Sequence, residues 1–223
     1  MTADFHYYET AKGHGLAHDP FKAIVGPRPI GWISSVDTAG RVNLAPYSYF
    51  NAVCDAPPMV AFGSSGWKDS IANVKATGEF VANLVTKTLA EAMNQTCAPV
   101  PHETNEFEIS GLTQASCRLV KAPRVAESPA ALECKLLQVV ELRDTEGRPT
   151  QHWLAIGQVV GVHINKAYLK DGLFDTAAAH PILRAGYLAD YAEITPAAMF
   201  RMRRPSAEEA LEAAPRFRRK ETV

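Results

Sequence analysis

Leu132-Glu133-Cys134-Lys135-Leu136-Leu137-Gln138-Val139-Val140-Glu141-Leu142 is followed, after turn formers at Asp144 to Gly147, by a second long run from His152 to Ile164. In the first run Leu132, Cys134, Leu136, Val140 and Leu142 share one strand parity, with Gln138 the only polar member. In the second, Leu154, Ile156, Val160 and Val162 fall on one face and the small residues Ala155, Gly157 and Gly161 on the other. A period of two is the mark of strands, whose successive side chains point to opposite faces. Long strands joined by turns, with few helical stretches between them, point to an antiparallel barrel, closed or partly closed. Closure removes the unpaired edges that strands of this length otherwise present. A doubly wound sheet is not expected.

Working outward, Pro29 to Asp37 reads as a strand ending in the turn Asp37-Thr38-Ala39-Gly40, with Arg41 to Ala45 returning as the second arm of a hairpin. Met59 to Gly63 is a short buried strand. Asp69 to Thr77 is a helix: Ile71 and Val74 lie on one side, Asp69 or Ser70 is available as a cap, and Gly78 stops it. Glu79 to Val85 alternates Phe80, Ala82 and Leu84 as a half-buried strand, and Thr86 to Asn94 suits a second short helix. Composition shifts near Pro205, beyond which Ala, Glu and Arg dominate. Residues 1–205 are therefore expected to form one domain and 206–223 a charged C-terminal tail, helical or irregular.

At 223 residues and 24.3 kDa the chain is long enough to bury roughly 70% of its unfolded surface, so its core needs no metal or disulfide staple. With 47% hydrophobic and 21% charged residues, wholesale disorder, a collagen-like chain and a coiled coil are poor readings. No apolar run reaches the roughly eighteen residues of a membrane span, and the N-terminus lacks the basic-then-apolar order of a signal peptide. A cytoplasmic protein with no membrane partner is the expectation. Residues 1–200 hold 16 Lys/Arg against 20 Asp/Glu, whereas 201–223 hold 7 against 4. The basic surplus thus belongs to the tail (Arg216, Arg218, Arg219, Lys220), and a nucleic-acid partner is not expected of a body without one.

Cys54, Cys97, Cys117 and Cys134 have no Cys-x-x-Cys spacing and no histidine at zinc-ligand distance, so reduced thiols are expected and no metal site. The glycine-rich and catalytic signatures of dinucleotide folds, nucleotide hydrolases, zinc proteases and esterases are missing. If chemistry occurs here, a bound cofactor carries it.

Gly63-Ser64-Ser65-Gly66-Trp67-Lys68-Asp69-Ser70 joins a strand to a helix and combines small hydroxyl residues, one lysine and free amides at a helix start. A phosphate needs those donors and that countercharge, although a capped turn with a solvated lysine has the same sequence. Upstream, Asn43-Leu44-Ala45-Pro46-Tyr47-Ser48-Tyr49-Phe50-Asn51 runs a strand end into a proline-fixed, aromatic segment. Pro27-Arg28-Pro29, Trp32-Ile33-Ser34-Ser35-Val36-Asp37, Gly40-x-x-Asn43-x-Ala45-Pro46-Tyr47-Ser48-x-Phe50, Lys68-Asp69-Ser70-x-x-Asn73, Gly78-Glu79-Phe80-x-x-Asn83-Leu84 and Pro181-Ile182-Leu183-Arg184-x-Gly186-Tyr187 come in an order that resembles the flavin reductase-like family. Ser70 stands where that family often has Thr, and the bulky Trp67 is less typical of it.

The resemblance implies a mainly β FMN-binding split barrel, a six-stranded Greek-key antiparallel barrel with a few added helices. It also implies a homodimer with FMN near the subunit interface. Carried over by position, Ser34 and Ser35 meet the ribityl chain or ring edge. The backbone of Ala45, Pro46, Tyr47, Ser48 and Tyr49 lines the ring, with Ser48, Phe50 and Asn51 close to that platform. Ser64, Lys68, Asp69 and Ser70 match the phosphate-binding segment, and Arg184 and Tyr187 complete the pocket. The implied activity is an NAD(P)H-dependent flavin reductase, with NADH or NADPH as reductant and reduced FMN passed to a flavin-dependent monooxygenase or another acceptor. Hydride transfer between two bound rings requires no side-chain acid or base, so no catalytic residue is singled out. Two alternatives stand beside it: a tightly FMN-bound electron carrier or redox sensor without a nicotinamide site, and an FMN-dependent oxidase or reductase of a small organic substrate. Apolar residues on both parities of the two long strands exceed what one barrel interior takes, which also favours a homodimer.

Overall fold

A computed structural model describes residues 4 to 218. The strands are β1 (Gly31–Val36), β2 (Val42–Tyr47), β3 (Phe50–Asp55), β4 (Pro58–Ser65), β5 (Glu79–Asn83), β6 (Ala130–Arg143) and β7 (Pro149–Ile164), then the short β8 (Ile182–Arg184) and β9 (Tyr191–Glu193). The helices are α1 (Asp69–Thr77), α2 (Ala90–Gln95), α3 (Glu106–Ile109) and α4 (Ala207–Arg218), with a single helical turn at Phe21–Ile24 before them. The main sheet runs β2-β1-β5-β6-β7-β4-β3, antiparallel throughout. β2 and β4 close the first six strands on themselves without a ladder. Tyr47 and Phe62 meet there at 4.9 Å between ring centroids, and the Gly63 amide donates to Tyr49 O at 2.7 Å. This is a split barrel, with β3 added outside the closure.

The sequence elements seat one another. Ile71 and Val74 of α1 are fully buried among Ile33, Tyr47, Phe62 and Phe80, so the helix plugs the barrel and fixes its own N-terminus beside the β2–β3 turn. Gly78 ends it in a left-handed conformation (φ 74°), as its position predicts. The Asp37–Gly40 turn and the β6–β7 turn appear as expected, each tied by an aspartate accepting backbone amides. A strand over Phe50–Asp55 is not visible in the sequence reading, and the helix expected over Thr86–Asn94 is instead a 3-10 turn (Lys87–Leu89) running into α2.

The expected parity of β6 fails beyond Leu136. The pairing with β7 slips between Leu136 and Gln138, and Leu137 is the extra residue of a bulge. Val139 then turns to the core, while Leu137, Val140 and Leu142 lie exposed on the outside. On β7 the small residues are the inward ones. Ala155 and Gly157 are buried, and a Cβ on Gly157 would stand 2.5 Å from the Phe80 ring; Leu154, Ile156, Val160 and Val162 face outward. Bulky aromatics fill the barrel axis, so the wall facing them is thin.

No helix among the described residues is long and apolar enough to cross a membrane. Beyond Pro205 the chain forms α4; Arg219 and Lys220 of the basic tail lie outside the described residues.

Candidate functional site

A groove of about 560 Å³ opens where β2 leaves the barrel. One wall is the Ala45-Pro46-Tyr47-Ser48-Tyr49 ledge, and the opposite wall is the segment Thr96 to Val100 with Glu106. Its floor is the end of β4 and the first turn of α1, with Gly63, Ser65, Lys68, Asp69 and Ser70. The ledge is anchored because Tyr47 points inward, buried against Phe62. Burial pushes the Tyr47 phenol up in pKa, so it stays a neutral donor.

The helical end of the groove presents one lysine and the free amides of a helix start, beside the carboxylates of Asp69 and Glu106. Lys68 is the extended N-cap of α1 and offers no side-chain cap, so the first-turn amides have no partner within the helix. Among the described residues Lys68 makes no ion pair. The Asp69 carboxylate meets His102 Nδ1 at 2.9 Å, and the other nitrogen of that ring lies 3.6 Å from Asp37. Asp37 is itself held down to about 2 by the Arg41 guanidinium and amide. Burial raises the Glu106 carboxyl above its ordinary range, against the opposing pull of the Leu44 amide that donates to it at 3.0 Å.

Several expected residues are placed elsewhere. Ser34 and Ser35 are fully buried inside β1; Ser34 Oγ donates to Pro123 O, and Ser35 Oγ accepts from Asn73 at 3.2 Å. Neither reaches the groove wall. Ser64 Oγ donates to Gly66 O at 2.9 Å; Ser70, on the groove floor, has its Oγ accepting from Asn43 at 2.9 Å. Phe50 packs over Gly31, where a Cβ would come within 2.4 Å of its ring. Asn51 is exposed on β3 with its side chain accepting from the Ala52 amide. Trp67 stands edge-on to Trp153 at 5.2 Å with Lys75 over it, outside the groove.

Arg184 lines a second cavity, of about 570 Å³, that shares Pro46, Ser48 and Cys97 with the groove. Tyr187 is exposed near it, 5.9 Å from His18. The segment Thr96–Val100 was not found in the sequence. It carries no motif and reaches the groove only because α2 ends in Thr96, whose hydroxyl accepts from the buried Trp32 indole at 2.9 Å.

One cluster brings metal-ligating types together: Cys117, Glu133 and His163 offer atoms within 4.8 Å of one another. Its carboxylate is already occupied. Glu133 accepts from the amides of Arg118, Leu119 and Val120 and meets His163 Nε2 at 2.5 Å, clamping the 117–121 loop to the barrel.

A groove with unpartnered amides and a free lysine at one end and an uncharged backbone ledge at the other fits a flat ring carrying a phosphate tail. The comparisons show the family. A family model described as a flavin reductase-like domain matches residues 26–182. An uncharacterized protein of Deinococcus radiodurans is 33% identical over 198 residues, covering 83% of this chain and 84% of that one. Among solved structures, nitrilotriacetate monooxygenase component B from Bacillus cereus superposes with a TM-score of 0.78 at 29% identity, over 91% of this chain and 100% of that one. The 2-nitrobenzoate 2-nitroreductase of Pseudomonas fluorescens gives 0.74 at 25% identity, over 84% of this chain and 89% of that one.

Proposed function

The chain belongs to the flavin reductase-like family, and from that premise we propose that it is an NAD(P)H:flavin oxidoreductase whose flavin is FMN. The observation that carries this reading is the groove's asymmetry, an unpaired Lys68 and free helix amides at α1 and an uncharged ledge along Pro46. In it, Lys68 and the amides of Asp69, Ser70 and Ile71 hold the phosphate, and the backbone of Ala45 to Tyr49 supports the ring and bonds its polar edge. A bound flavin supplies the two-electron chemistry that the side chains of the groove lack. The protein's own part is orientation and exclusion: the Thr96–Val100 segment walls off solvent, and the adjoining cavity leaves room for a second molecule against the same ledge.

The Bacillus cereus neighbour is a monooxygenase component by name, which supports a partner oxygenase as receiver of reduced flavin. The exposed outer face of β6 and β7 supports a homodimer. Purified protein should oxidise NADH or NADPH at a rate that rises and saturates with added FMN; no stimulation by FMN defeats the reading. A second reading, reduction of a small organic acceptor on resident flavin, draws on the nitroreductase neighbour and the second cavity. It is separated by gel filtration: a shuttle loses its yellow colour, and a resident flavoprotein keeps it.

A further inference from the structure

We propose that the second cavity is an anion site, binding an organic co-substrate through a carboxylate or phosphate group held by Arg184 and Lys87. The designation co-substrate rests on the function proposed above; the anion site itself does not.

The cationic groups at this cavity lack carboxylate partners. Among the described residues neither Arg184 nor Lys87 forms an ion pair. Arg184 is nevertheless held still. Its Nη2 donates to Leu188 O, and its guanidinium lies over the Tyr191 ring at 4.6 Å. That leaves most of its fixed fork of donors available, the geometry that suits bidentate binding of an oxyanion.

The short strand Arg28–Pro29 pairs antiparallel with β8, and directly across from Arg184 stands Arg28, only 7% exposed. Arg28 donates to the carbonyls of Lys22 and Val25, closing the Phe21–Ile24 turn, and its Nε has no partner. Like charges directly opposite on one sheet face repel. The neighbouring carboxylates do little to relieve this: Glu193 is paired with His180 at 2.7 Å, Asp190 accepts the Tyr187 amide, and Glu91 is the one acidic residue on the described wall. Two lining cations, Arg184 and Lys87, stand against Glu91 alone, with buried Arg28 paired to Arg184 behind the wall. Ile30, Met93 and Ile182 give it an apolar side suited to a ring. Because Pro46, Ser48 and Cys97 line both cavities, a ring seated here adjoins the groove at the ledge. Arg184 thus reads the second molecule, and the flavin groove is formed without it.

A dinucleotide diphosphate and an aromatic carboxylate share this chemistry, and calorimetry on the full chain equilibrated with FMN separates them. The probes are NAD+, NADP+ and benzoate, with uncharged benzamide as control. At least one anionic probe should bind and benzamide should not; nucleotide binding identifies the phosphate source and benzoate binding the carboxylate source. Arg184→Gln should weaken that probe by about tenfold, the scale of a lost charge-assisted hydrogen bond, while changing FMN affinity by less than about twofold. Lys87→Gln, at an exposed position that leaves the Tyr191 stack intact, should weaken the same probe severalfold. Failure of every anionic probe to bind overturns the proposal. So does a probe affinity unmoved by both substitutions, or an Arg184→Gln variant that loses FMN as strongly as it loses the probe. If FMN itself does not bind but an anion does, with the same dependence on Arg184, the proposed function falls and the anion site stands.

Discussion

Glu133 is 1% exposed and survives in the barrel wall because every lone pair of its carboxylate has a donor. Burial alone would raise its pKa, but the amides of Arg118 and Leu119 together with the His163 ring outweigh it, and the carboxyl lies below its ordinary 4.5. Folding therefore favours the ionised form. The stability this contributes is complete above pH about 4.5 and is lost as pH falls through the lowered folded value. Glu133→Gln should destabilise the protein by about 3 kcal/mol at pH 7, because an amide presents donors to amides that need acceptors. Urea midpoints of wild type and variant should differ equally at pH 7 and 5 and converge only as the pH is taken below about 4. The sequence shows Glu133 only as a polar residue in a strand. At this scale it shows which hydroxyls exist but not which way they turn: Ser34, Ser35, Ser64 and Ser70 carry the right chemistry for a ligand and bond to Pro123, Asn73, Gly66 and Asn43. Lys68 was legible from its place among small hydroxyl residues at a helix start, although the helix caps on Lys68 itself and makes no side-chain cap with Asp69 or Ser70.

Elements were read best where local chemistry decides them. The α1 boundaries follow from Ile71, Val74 and Gly78, and the Asp37–Gly40 turn from its own aspartate. They were read worst where a partner strand decides. The bulge at Leu137 is set by how β6 must bend to follow β7, and no residue in the run marks it. Gly157 is the counterpart on β7: it is the thin wall against which Phe80 packs. Gly157→Ala should cost about 2 kcal/mol or more, since the obstructing atoms belong to a fully buried ring with nowhere to move. Gly147→Ala, in an open turn, shows the contrast: its Cβ meets nothing within 4 Å, and its cost should be confined to about 1 kcal/mol of left-handed strain. Thermal melts of the two variants test this ordering.

For the whole molecule, the outer face of β6 and β7 exposes Leu137 at 50% and Val162 at 58% beside Val140, Leu142 and Ile164. The homodimer proposed above would cover these exposed apolar residues. Leu137→Glu combined with Val162→Glu should convert a dimer at micromolar concentration to a monomer by light scattering, with the circular dichroism of the barrel retained. Barrel, plug helix and ledge were legible from the chain because each rests on residues close in sequence. The opposite wall of the groove was not, because Thr96–Val100 arrives through a tertiary contact to Trp32. The central claim is that one groove grips a phosphate at α1 and a ring along Pro46. Equilibrium titration with FMN and with riboflavin, on wild type and Lys68→Ala, tests it most directly. FMN should bind more tightly than riboflavin, and Lys68→Ala should weaken FMN by about tenfold while leaving riboflavin unchanged. Equal affinities for the two flavins, or a Lys68→Ala variant that binds FMN as wild type does, would contradict it.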